Sequence, residues 1–427
     1  MIDKTKIIKI DTILFLCIVI NLLIPKAGIK VRGIPLTIGS ILVLVLLTLE
    51  IVKWLFTRKI VLCKSKSEVY NILYWFIILS IGMLLKKDNS TDSLQDILIY
   101  FISLVGFAPV YFLIQNKIHY KEQIEYIVDI AQIILLLLMF YSIFQYIFGI
   151  KETTIPGITV NLSDYLDAPD AWWRKKANHV GIESSKIMST YQNGNLFGSN
   201  LLMFFPIIFE KKRTNNLTKF LLFVLFIFTI FISGSRTVIF GMVFYVLILV
   251  FQTFEKSKIK KETFFYIFFL AIILISGIIY FISTNNAYLY RLSQIMNWNS
   301  FVSATGRTEN FILYIKWLFS QGNIINFLFG SVTEAFSGNA YEMLYGSLFI
   351  RGGGIGLCLF IVPILQKIKK LQKHKQDWLT RGLFNSILTY SFVALVDGCF
   401  WLLPTPFHFY LIMGITNKII FFQYNVK

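Results

Sequence analysis

The chain has 427 residues, of which 56% are hydrophobic and only 15% charged, and its formal net charge is +18. Soluble domains carry about 25% charged residues, so a protein-only core could not hide this much apolar surface and lipid must solvate much of it. The basic residues fall in clusters between apolar runs rather than in one patch, which argues against nucleic acid as a partner and for membrane-flanking loops in contact with lipid.

A helix that crosses a bilayer needs about 20 apolar residues. Such runs are predicted at 8–25, 33–55, 69–85, 97–115, 126–149, 195–210, 219–234, 236–254, 263–283, 340–366, 383–402 and 405–423. The first follows Lys4, Lys6 and Lys9 without a small-residue cleavage site, so it reads as a retained helix. With the N-terminus in the cytoplasm, the dense clusters around Arg58–Lys66, Lys211–Arg213, Lys256–Lys261 and Lys367–Lys375 all fall inside. Lys26, Lys30 and Arg32 alone make a short loop that disagrees. The expected fold is one polytopic, all-α integral membrane domain over 1–427 with about 12 transmembrane helices and both termini cytoplasmic. The Lys-, Ile-, Asn- and Phe-rich usage suggests a low-GC bacterial genome, and the expected location is the bacterial cytoplasmic membrane.

This orientation leaves two long outer loops. The first, 150–194, contains Asp164, Asp167, Asp170, Trp172, Trp173, Arg174 and His179. The second, 284–339, contains Arg291, Trp298, Arg307, Glu309 and Trp317, with a short amphipathic helix expected at 311–319. Long loops of mixed aromatic and charged composition point to function. The cysteines, Cys17, Cys63, Cys358 and Cys399, are scattered without metal-ligand spacing and read as packing residues.

Three polar stretches stand at outer helix ends. Tyr191-Gln192-Asn193-Gly194-Asn195 opens the sixth span; capping accounts for one asparagine, and the second, with Lys186 upstream, marks a polar site. Ser233-Gly234-Ser235-Arg236-Thr237 divides a long apolar run into two helices, and its tight turn leaves the arginine little freedom. The third stretch runs from Thr305-Gly306-Arg307 through Gly338-Asn339-Ala340-Tyr341-Glu342 to Arg351-Gly352-Gly353-Gly354-Ile355-Gly356. Its glycine run should break the helix and place Arg351 at the break, because a lone arginine at mid-bilayer is costly. Several guanidinium groups near one face suit a lipid-linked diphosphate. No pattern of metal ligands accompanies them, and no cofactor is expected.

Ser233-Gly234-Ser235-Arg236-Thr237 resembles the Ser-x-Ser-Arg-Gly/Thr signature of the O-antigen polymerase/ligase (Wzy-type) family. Asn193-Gly194-Asn195 is similar to that family's Asn-Pro-Asn, and Lys186 stands near its usual arginine. Thr305-Gly306-Arg307 resembles its Ser/Thr-Gly-Arg, and Gly338-Asn339-Ala340-Tyr341 with Gly352–Gly356 resembles its closing motif. The likeness spans roughly 185–360; the N-terminal third matches in hydropathy alone. It implies a GT-C-like polymerase/ligase architecture and glycan transfer from a polyprenyl-diphosphate carrier on the outer face of the cytoplasmic membrane. It also implies that Arg236 and Arg307 handle the donor diphosphate. A chain-length regulator and a flippase would be partners. The ligase branch carries His where this chain has Gly338, which favours a polymerase.

In the expected reaction an acceptor hydroxyl attacks the anomeric carbon while Arg236, Arg307 and Arg351 stabilise the departing diphosphate. Lys186, Asn193, Asn195, Asn339 and Arg174 are candidate substrate contacts. Glu342 is the first candidate for the carboxylate that orients the hydroxyl, although the helix dipole alone also explains an acidic residue there. Glu309, Asp164 and Asp167 are alternatives. Asp397, in the outer half of a span, reads as a packing contact and His408 as an interfacial residue. The competing readings are a lipid-linked oligosaccharide flippase, a ligase and, more weakly, a membrane acyltransferase. No internal repeat supports the flippase, and the outer loops are long for one.

Overall fold

The structure, a computed structural model, describes residues 10–31, 34–57, 66–85, 97–167, 186–211, 215–256, 307–320, 322, 324–331 and 343–425. The predicted span 263–283, Arg174, Trp172, Trp173, His179, Asn339 and Glu342 lie outside the described residues. At Arg307 the backbone alone is described.

Every other predicted span falls on a helix. In chain order these are α1 (Thr12–Leu23), α2 (Ile38–Thr57), α3 (Lys66–Leu85), α4 (Ile97–Lys117) and α5 (Lys121–Phe148), with a hairpin of β1 (Gly28–Val31) and β2 (Ile34–Thr37) between α1 and α2. Two short helices follow, α6 (Ile150–Thr153) and α7 (Leu162–Asp167). Then come α8 (Gly194–Phe209), α9 (Asn216–Ile232), α10 (Arg236–Lys256), α11 (Arg307–Ser320) and α12 (Ile324–Phe329). The last three are α13 (Leu344–Gln372), α14 (Trp378–Val393) and α15 (Thr405–Asn425). Six of the described helices, α2, α3, α4, α5, α10 and α13, are long and apolar enough to cross a membrane; α1, α8 and α9 are apolar but shorter.

Apolar length explains the helices, and two local departures correct the expectation. The span expected from 33 begins at Ile38, because Ile34–Thr37 pairs antiparallel with Gly28–Val31. Pro35, which has no N–H to donate, sits opposite Lys30 in a two-stranded ribbon where each strand has a free edge. The span expected over 383–402 ends at Val393 and is followed by a turn and a 3₁₀ segment at Cys399–Trp401. Asp397 therefore sits in that connection rather than in a helix; its Oδ1 accepts from the Cys399 N–H at 2.8 Å.

The helices alternate in direction, so their ends gather into two layers. At one end, ion pairs tie together helices that are not consecutive in the chain: Lys117 to Asp11 at 2.8 Å and to Glu50, Lys121 to Asp377 at 2.9 Å, Lys211 to Asp129 at 2.6 Å and Arg381 to Glu210 at 2.5 Å. Lys418 donates to the Gln115 carbonyl at 2.9 Å, so the described chain starts and finishes in this layer. The opposite layer holds the hairpin, 149–167, 186–193, the turn at 233–235 and the start of α13, whose Leu344 N–H donates to the Ala394 carbonyl at 3.2 Å.

The core sits around α8, which packs on α14, α10, α5 and α9. Phe205 stacks on Phe226 with centroids 3.8 Å apart, and Tyr245 meets both rings edge-on. Such pairs add about 0.5–1.5 kcal/mol each beyond the area they bury. The apolar stretch of α2 is only 18% buried against 56% for α4, so α2 is peripheral, its Ile41, Leu44 and Leu49 exposed for contact with lipid.

In α13 the helix breaks where the glycine run predicts. Gly353 has φ +61°, outside helical geometry, and Gly330, at φ +78° just beyond α12, lies against it. A Cβ on Gly330 would come within 2.6 Å of the Gly353 nitrogen, and one on Gly353 within 2.3 Å of the Leu328 carbonyl oxygen. The Ser331 N–H donates to the Ile350 carbonyl at 2.8 Å, so the loop end supplies a backbone partner beside the break.

Candidate functional site

The first two polar stretches come together. Asn193 is extended and caps α8, accepting from the Leu196 N–H at 2.8 Å. Asn195 takes the other role expected of the pair: its Oδ1 accepts from Lys186 Nζ at 2.8 Å. The segment carrying Lys186 runs against the turn that precedes Arg236, with the Ile187 N–H donating to the Ile232 carbonyl at 3.4 Å. Gly194 makes this possible, since a Cβ there would lie 2.1 Å from the Ser233 carbonyl oxygen. Ser235 caps the next helix by accepting from the Val238 N–H at 3.4 Å, which leaves half-buried Arg236 as the first residue of α10.

The described part of the third stretch places a second cation, Arg351, in the same layer. Arg351, 5% exposed, stands two residues before the break, its guanidinium 5.4 Å from the Tyr100 ring centroid. Tyr100 packs on Trp401 at 4.3 Å, and Tyr74 donates to the Gly352 carbonyl at 2.5 Å. The amphipathic helix expected at 311–319 is α11, seated on α13 through buried Tyr314 and Leu318 against Phe349 and Ile350. Its Leu313 and Phe319 stay exposed, at 57% and 84%. Arg307 begins this helix two turns before Tyr314, about 10 Å along the axis at 1.5 Å per residue.

A feature not expected from the sequence adjoins both groups. A cavity of about 360 Å³ opens among the hairpin, α2, α4, Asn161, Asp164, Gln192 and Trp401–Leu403. Its walls are largely apolar, with Lys26 and Lys30 as its cations. Lys30 pairs with Asp164 at 2.5 Å, and its backbone N–H donates to Ser163 Oγ at 3.0 Å, which docks α7 on the hairpin. That pairing gives Asp164 a structural partner beside the cavity. Lys26 is 8% exposed, and burial pushes its ammonium down to about 8, with Asp164 opposing and Lys30 reinforcing the shift. The signal in the sequence was present: these are the lysines whose loop disagreed with the charge distribution.

Two further expectations resolve differently. His408 is fully buried rather than interfacial, its Nδ1 2.6 Å from Asn200 Oδ1 and its ring against Phe204. Asp397, read as a packing residue, is indeed buried, with Ser199 Oγ donating to its Oδ2 at 3.4 Å. Cys17 and Cys399 are buried and Cys358 is exposed. Among the described residues no three His, Cys, Asp or Glu side chains gather as a metal site. A scan of the chain against protein-family models finds no match, and a search of curated proteins finds none.

Proposed function

We propose that the chain is a polymerase of polyprenyl-diphosphate-linked glycan repeat units, working at the outer face of a bacterial cytoplasmic membrane. In this reading the hairpin layer faces outward, the ion-paired layer faces the cytoplasm, and about twelve spans form a GT-C-like bundle. The observation that carries it is the close packing of 186–195 on the turn before Arg236, which joins residues far apart in sequence and alike in chemistry.

The placement of the cations supports an anionic substrate. Arg236 and Arg307 each begin a helix, where the positive end of the dipole disfavours a cation by about 0.3–1 kcal/mol. That cost creates concentrated positive potential, suited to a diphosphate. In the proposed step an acceptor sugar hydroxyl attacks the donor's anomeric carbon. The new glycosidic C–O bond forms as the bond to the diphosphate oxygen breaks, and the hydroxyl proton leaves to a base. Arg236, Arg307 and Arg351 stabilise the leaving diphosphate; Lys186, held by Asn195, contributes positive charge nearby. Asn193 keeps α8 capped, and Asn339 and Arg174 remain proposed substrate contacts with Glu342 as the proposed base.

The test is a reconstitution in liposomes with native polyprenyl-diphosphate-linked repeat units, resolved as a ladder on a gel. Polymerase predicts a ladder that survives EDTA and is lost in Arg236→Ala and Arg307→Ala. Verified substrate that stays unextended yet crosses the bilayer would replace the polymerase with a flippase.

A further inference from the structure

The cavity beside the hairpin is lined by none of the residues proposed for the transfer step, and its chemistry is distinct from that of the arginines. Its walls, from Leu36, Leu44, Leu98, Ile99 and Ile102, are apolar, and Leu36 and Leu44 are also exposed on the outside of the bundle. The cavity thus adjoins a face that meets lipid. At roughly 30 Å³ for a group the size of water, its 360 Å³ admits on the order of a dozen methylenes, one acyl chain in part.

Lys26 gives this space a polar pole. It is buried at the turn between α1 and β1 and lines the cavity, where Asp164 attracts its ammonium and Lys30 repels it. Asp164 is nearby, but its carboxylate is taken by Lys30. Two ammonium groups against one carboxylate leave a single positive charge among the described residues that line the cavity. A buried ammonium that shares its one carboxylate with a second ammonium is costly, and one monoanion resolves that cost.

We infer that this cavity binds an anionic phospholipid of the surrounding leaflet, its phosphodiester on Lys26 and one acyl chain between α2 and α4. The single surplus charge matches a phosphodiester monoanion rather than a diphosphate, and the apolar walls match a chain. Gln192 and Trp401 line the same cavity. Gln192 precedes the α8 cap, and Trp401 packs on the tyrosine under Arg351, so bound lipid braces both cationic groups. The site stands whether or not those groups transfer glycan.

Delipidated protein in detergent is titrated at pH 7 with phosphatidylglycerol, phosphatidylcholine, inorganic phosphate or a polyprenyl diphosphate, and retained lipid is counted by native mass spectrometry. One phosphatidylglycerol should bind per chain, at least tenfold more tightly than phosphatidylcholine, and millimolar phosphate should not displace it. Lys26→Met should bring its affinity to that of phosphatidylcholine. Gly106→Leu gives a second variant, because a Cβ at this cavity-lining position meets nothing nearer than 3.8 Å and the new side chain enters the space reserved for the acyl chain. It should lose both lipids while remaining folded. Equal affinity for the two phospholipids, or phosphatidylglycerol binding unchanged in both variants, would overturn the proposal. Displacement by inorganic phosphate would reduce the site to an anion pocket, and tighter binding of the polyprenyl diphosphate would give it to the glycan carrier; either result sinks the phospholipid.

Discussion

Gly194→Ala probes the contact on which the functional reading depends. The added methyl carbon would stand 2.1 Å from the Ser233 carbonyl oxygen and 2.9 Å from that of Ile187, both backbone atoms. No rotamer change can relieve the clash, so α8 and the 233–235 turn must separate. Overpacking of this kind costs typically 1–3 kcal/mol, against a gain of about 0.5–1 kcal/mol from replacing a helical glycine. The net expectation is a loss of about 1–2 kcal/mol. Gly354→Ala is the matched control, since its Cβ would find only ordinary contact, 3.6 Å from the Phe327 carbonyl oxygen. Thermal unfolding of the detergent-solubilised protein should rank Gly194→Ala below wild type and Gly354→Ala at or above it. Glycan elongation should fall in the first variant and persist in the second. If the two variants have the same melting temperature and activity, the close apposition of Lys186 and Arg236 segments is refuted.

Other consequences are open to measurement. In lipid-free protein, Lys26→Met should stabilise the fold at pH 7 by about 3 kcal/mol, the worth of a fall from 10.5 to about 8 at 1.36 kcal/mol per unit. The unfolded chain keeps that proton up to about 10.5 while the folded one loses it near 8, so wild-type stability rises across this window. The advantage of the variant should therefore shrink between those values in pH-dependent denaturation, and a constant advantage would contradict the buried charge. Arg381→Ala should cost about 3–5 kcal/mol in chemical denaturation, because it leaves the charge of Glu210, 7% exposed, with the Asn385 amide in place of a cation. Glu210→Gln should recover part of that loss in the double variant. Asn200→Leu should cost about 1–3 kcal/mol, since His408 and Thr405, 2.6 and 3.1 Å away, both lose their partner.

Hydropathy made the helices legible, and the break in α13 was legible too, because a run of glycines beside an arginine leaves few alternatives. The hairpin was not. Ile34, Pro35 and Leu36 extend the apolar run of α2 without a seam, and only pairing with Gly28–Val31 separates them. The cavity was hidden for a related reason. Lys30 finds Asp164 across 134 residues, and no local pattern announces a pairing at that range. His408 shows the limit of reading by position: two prolines nearby suggested a helix end at the membrane surface, but Asn200, on a different helix, draws its ring into the core. Local rules foresee both a cap and a polar site beside Lys186 from the asparagine pair but not which residue takes which, and the fold gives the cap to Asn193 and the lysine to Asn195.

The two glycines that meet where α12 crosses α13 also constrain how this sequence can vary. Most contacts between helices adjust, since a larger residue on one side can be answered by a smaller one opposite. Here neither partner has anything to give up: each would-be side chain strikes the other segment's backbone, and both positions hold left-handed torsions. A change at Gly330 or Gly353 therefore has no compensating change at the other. The pair should behave under mutation as a single indivisible position, retained or lost together, whatever the side chains around it become.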